Sequence, residues 1–63
     1  MNAKTLKGLR AARGWTQAAL ARRAGVARIT VARLEGRGPQ QPDLRTVRRL
    51  ARALSVPLAE LLT

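Results

Sequence analysis

Thr16-Gln17-Ala18-Ala19-Leu20-Ala21-Arg22-Arg23-Ala24-Gly25-Val26-Ala27-Arg28-Ile29-Thr30-Val31-Ala32-Arg33-Leu34-Glu35-Gly36 decides the fold of this chain. The stretch predicts two short helices joined by a tight turn. Thr16 is a good N-cap, because its hydroxyl accepts a hydrogen bond from a free backbone N–H. The first helix then runs from about Gln17 to Arg23, and Gly25 supplies the left-handed residue that ends it. The second runs from about Arg28 to Leu34 and ends at Gly36. Its N-cap position holds Ala27, a poor capper, where Ser or Thr would stabilise by about 1 kcal/mol. Leu20, Ala21, Val26, Val31 and Leu34 are spaced to meet in one core. Arg28, Thr30 and Arg33 are left pointing outward. A compact helix-turn-helix with a cationic second helix fits a DNA major groove.

The flanks extend the helical reading. A helix from about Ala3 to Arg13 places Leu6, Leu9, Arg10 and Arg13 on one side, with Asn2 as its cap and Gly14 at its end. Arg37-Gly38-Pro39-Gln40-Gln41-Pro42 reads as a loop, since its glycine and prolines forbid a continuing helix. Asp43 caps a fourth helix, about Leu44 to Leu54, in which Leu44, Val47, Leu50, Ala51 and Leu54 recur at helical spacing. Arg45, Arg48, Arg49 and Arg52 cover its opposite face. Pro57 suits the first turn of a short fifth helix, about Leu58 to Leu62. There is no strand pattern, repeat or domain boundary, so residues 1–63 are expected to form a single all-α domain. Its expected core is Leu9, Leu20, Val31, Leu34, Val47, Leu50 and Leu54.

Composition narrows the function. The chain carries 13 Lys and Arg against 3 Asp and Glu, for a net charge of +10. Such an imbalance favours a polyanionic partner, and nucleic acid is the first to consider. There is no His, Cys or Tyr. Without them no Ser or Thr has a base to activate it, and a transition-metal site lacks ligands, so neither an enzyme nor a metal or cofactor is expected. No apolar run approaches the ~20 residues of a membrane span. Lys4, Lys7 and Arg10 break any signal-peptide core, so a cytoplasmic protein associated with the nucleoid is expected. Trp15, the sole aromatic residue, suits packing at a domain edge better than base stacking.

These motifs resemble the Cro/repressor-type (XRE-like) helix-turn-helix family. The resemblance is carried by Leu6-Lys7-Gly8-Leu9-Arg10 with Arg13-Gly14-Trp15-Thr16-Gln17, by Leu20-Ala21 through Gly25-Val26 to Glu35-Gly36, and by Pro42-Asp43-Leu44 through Leu50-Ala51-Arg52-Ala53-Leu54 to Leu58-Ala59-Glu60-Leu61-Leu62. It implies a five-helix, lambda-repressor-like bundle that binds double-stranded DNA, usually as a homodimer. It places Arg28, Ile29 and Arg33 against base edges. Arg can bond guanine O6 and N7 together, while Ile29 offers only apolar contact, best with a thymine methyl. Ile29 departs from the polar residue often found there, and packing within its own domain is the alternative. Gln17 falls at the family's phosphate-binding position beside Thr16, where free N–H groups and the positive end of the helix attract a phosphate. Thr16, Thr30, Arg37, Gln40 and Gln41 are further phosphate candidates. Arg10 and Glu35 match a structural ion pair of phage-repressor members.

The expected function is sequence-specific DNA binding by a small transcriptional regulator, most naturally a repressor. The alternatives are an antitoxin-type module that binds a partner toxin, and a nonspecific nucleic-acid binder. No separate dimerisation domain is expected after Thr63, and Leu58, Leu61 and Leu62 are the candidate dimer contact, because a fifth helix this short is not expected to bury all three; the alternative is that they complete the monomer core.

Overall fold

The turn chemistry of the central stretch sets the architecture. The computed structural model describes residues 3–36 and 43–61, which form α1 (Ala3–Ala12), α2 (Gln17–Ala24), α3 (Arg28–Leu34), α4 (Leu44–Leu54) and α5 (Leu58–Leu61), with no strand among them. Thr16 caps α2 by accepting from the Ala19 N–H at 3.0 Å. Asp43 caps α4 by accepting from the Arg45 N–H at 3.1 Å. Ala27 precedes α3 with no side-chain cap bond, as its methyl dictates. Gly25 closes α2 in the left-handed region at φ 73°, where a Cβ would be strained.

The ends of α3 and α4 are closed in different ways. α3 ends at Leu34, with Glu35 as a right-handed cap whose N–H reaches the Val31 carbonyl at 3.0 Å. Gly36 follows it where space is tight, because a Cβ there would lie 3.3 Å from the Ala32 and Arg33 carbonyl oxygens. α4 is closed by Ser55 in the left-handed region at φ 57°. The proposed Asn2 cap and the end of the fifth helix at Leu62 lie outside the described residues.

α2 packs against both α3 and α4, and α5 packs against α4. Their inner faces enclose Leu6, Leu20, Ala21, Ala24, Val31, Leu34, Val47, Leu50, Ala51, Leu54 and Leu61. Leu6 replaces Leu9 as α1's fully buried residue. Leu9 packs at the margin, as do Val26, Trp15, Val56 and Leu58. On the same side as Leu6, Arg10 and, just past the end of α1, Arg13 each donate to backbone carbonyls. Arg13 donates to the Leu9 carbonyl at 2.8 Å through Nη1 and to the Leu54 carbonyl through Nη2, tying the end of α1 to the end of α4.

Leu61 is a correction. It is wholly buried in its own domain, so it has no surface to offer as a dimer contact. α5 is short, but α4 lies beside it and receives Leu61 into the shared core. Leu58 is half-buried against that core, and Leu62 lies outside the described residues.

Candidate nucleic-acid interface

α3 is held from behind so that its other face is free. Val31 and Leu34 are buried, while Arg28 and Arg33 are exposed and Thr30 is half-buried. Ile29 is 51% exposed, which removes the alternative that it packs within its own domain. The outward face therefore offers two guanidinium forks and one bare aliphatic side chain. Long donors and a methyl-bearing group are what a helix needs to test guanine edges and thymine methyls in a major groove.

The far end of α3 is fixed by a polar network built on Glu35. Arg10 grips that carboxylate with two bonds, Nε to Oε2 at 2.7 Å and Nη2 to Oε1 at 2.9 Å. Its Nη1 donates to the Trp15 carbonyl at 2.6 Å. Gln17 Nε2 donates to Glu35 Oε1 at 3.2 Å. One carboxylate thus joins α1, the start of α2 and the end of α3. The Glu35 side chain is 3% exposed and that of Arg10 14%, so water screens the pair poorly. Burial pushes the Glu35 carboxyl up. Hydrogen bonds from Arg10 and Gln17, with the charges of Arg10 and Lys7, outweigh that and hold it below the ordinary carboxylate range. The hydrogen bond to Glu35 in turn raises the Arg10 guanidinium.

The same network specifies where Gln17 sits. One of its amide hydrogens points back to Glu35, which orients the side chain at the start of α2. Gln17 and Ala18 precede the capped Ala19, so their N–H groups have no partner within the helix. Thr16 is exposed with its hydroxyl committed to the cap. This end of α2 combines partial positive charge with fixed donors, a combination suited to a phosphate. Arg37, Gln40 and Gln41 lie outside the described residues.

Several arginine contacts escape sequence reading. The Arg23 guanidinium lies 4.4 Å from the centroid of the Trp15 ring, with Arg13 at 5.9 Å from it, so the indole is an anchor for cations as well as a half-buried packing group. Arg49 Nη1 donates to the Gly25 carbonyl at 3.2 Å, joining α4 to the turn between α2 and α3. Neither contact follows from helical spacing, since each spans separate elements.

No helix among the described residues is long and apolar enough to cross a membrane. A family model described as helix-turn-helix matches residues 6–61, which is most of the chain. No curated protein matches it.

Proposed function

The chain belongs to the Cro/repressor-type helix-turn-helix family, and from that premise we propose that it is a sequence-specific transcriptional regulator, acting as a repressor. DNA binding is the business of the family. The observation that carries sequence reading is the 51% exposure of Ile29 between Arg28 and Arg33 on a helix whose opposite face is sealed in the core. An exposed aliphatic residue has no reason to prefer water, and a thymine methyl would cover it. In this reading Arg28, Ile29 and Arg33 meet base edges. Gln17, Thr16, Thr30, Arg37, Gln40 and Gln41 face phosphates. Blocking a promoter requires only occupancy, and its DNA target places the protein in the cytoplasm with the nucleoid.

We propose further that it binds as a homodimer. The described residues extend 24 Å along their longest axis, less than the ~34 Å between successive major grooves on one face of the duplex, so a single recognition helix does not reach two such grooves. With Leu61 buried, the seam falls to half-buried Leu58, to Leu62, and to Leu44, a large apolar side chain that is 46% exposed. Selection of binding sites from random duplex DNA tests both statements. A two-fold symmetric sequence with half-sites about 10 base pairs apart is expected. Recovery of unenriched sequence would overturn specificity, and an asymmetric site holding one chain would overturn the dimer.

A further inference from the structure

We propose that the outer face of α4 is a second DNA-contacting surface, which grips phosphates of the same duplex flanking the segment read by α3. Arg45, Arg48, Arg49 and Arg52 are all exposed. At about 100° per residue they fall within an arc of about 100°, opposite the buried Val47, Leu50, Ala51 and Leu54. No acid occurs within α4.

A merely solvated face has no need of this pattern. Arg45 with Arg49 and Arg48 with Arg52 are like charges at i,i+4, which weakens a helix, and Arg45 sits in the first turn where a cation opposes the helix dipole. Mixed charges would solvate the face at no such cost. Local rules are broken most often where function demands it. Every cation here is an arginine, whose planar fork matches two phosphate oxygens. The patch is also continuous with the DNA-reading motif, because the Arg49 guanidinium already rests on the Gly25 carbonyl in the turn between α2 and α3. A partner that lies along α3 and that turn is therefore the one within reach of the patch. An acidic protein surface would match the charge but not this continuity.

The inference rests on the DNA-binding reading above, and one titration separates the two. Arg45→Gln, Arg48→Gln and Arg52→Gln are combined, with Arg49 retained for its turn contact. Affinity is measured against salt on the selected site carried in a long duplex, on the same site trimmed of its flanks, and on random sequence. On the long duplex the log–log salt slope should fall by about 2–3, near 0.9 for each phosphate that is no longer neutralised. On the trimmed duplex it should change little, and the ratio of selected to random affinity should stay the same. Arg→Lys at the three positions should keep most of the slope, which guards against a misfolded variant. An unchanged slope on the long duplex, as an acidic protein partner would give, overturns the proposal. So does an equal fall on trimmed and long duplexes, or an altered sequence preference. If the unaltered protein fails to distinguish selected from random DNA, the specificity reading falls, while the slope difference still judges α4.

Discussion

Glu35 shows how much one residue carries. Its folded-state pKa lies below its unfolded value, so the ionised carboxylate contributes stability that is fully present above about pH 4.3 and is lost as pH falls through the lower folded value. Glu35→Gln should lower stability at neutral pH by roughly 1.5–3 kcal/mol and flatten this part of the acid unfolding profile. Parallel acid profiles in the two proteins would show that the bridge does not stabilise the fold. At the DNA surface two variants should part company. Arg33→Ala is expected to relax a guanine preference, with a loss of about 1–3 kcal/mol on the selected site and less on random DNA. Gln17→Ala should weaken both about equally, as removal of a phosphate-binding group does. Binding assays on matched and randomised duplexes check the pair, and a shift in preferred sequence with Gln17→Ala would assign that residue to base reading.

At the level of the elements, the helix ends are the least uniform feature. Thr16 and Asp43 cap by their side chains as their chemistry predicts. Ser55 stands where glycine would be easier, at φ 57° and ψ 41°. The left-handed conformation costs an L-residue about 1–2 kcal/mol, partly offset by the extra unfolded-state freedom that glycine brings. Ser55→Gly should therefore stabilise by up to about 1 kcal/mol, read as a rise in melting temperature of roughly 4–8 °C. Gly25→Ala at φ 73° should act in the opposite direction and by a similar amount. Equal melting temperatures for Ser55→Gly and the parent chain would mean that the serine relieves its own strain.

For the whole molecule, a chain of this length buries only about 60% of its unfolded surface, so its margin is small. Leu6, Leu50 and Leu61 are each fully buried and come from α1, α4 and α5. Truncating Leu50 or Leu6 to Ala should cost about 2–5 kcal/mol, enough to unfold much of the population. Denaturant titration checks this, and an unmoved midpoint for Leu6→Ala would place α1 outside the cooperative core. Leu44→Asp should leave that midpoint nearly unchanged yet weaken assembly on a two-fold site, as sedimentation with DNA would show. Unimpaired pairing would move the seam away from Leu44.

The sequence by itself determined the helices and most of the core. Apolar residues at helical spacing, Thr16 and Asp43 before them, and Gly25 between them are local signals, each acting within a few residues of chain. They marked Arg28 and Arg33 as outward for the same reason, since a helix that buries Val31 and Leu34 turns them away, while the exposure of Ile29 was settled only by the packing. The Arg10–Glu35 pairing was legible only by resemblance, because its partners are 25 residues apart. Tertiary structure alone decided the rest. Periodicity names a helix face but not its depth, so it could not choose Leu6 over Leu9, nor say that α4 would close over Leu61. Long arginines reach beyond their own helix, so no spacing rule could set Arg13 on the Leu54 carbonyl, Arg23 on Trp15 or Arg49 on Gly25. Those contacts exist only once packing has brought distant backbone within the length of a side chain.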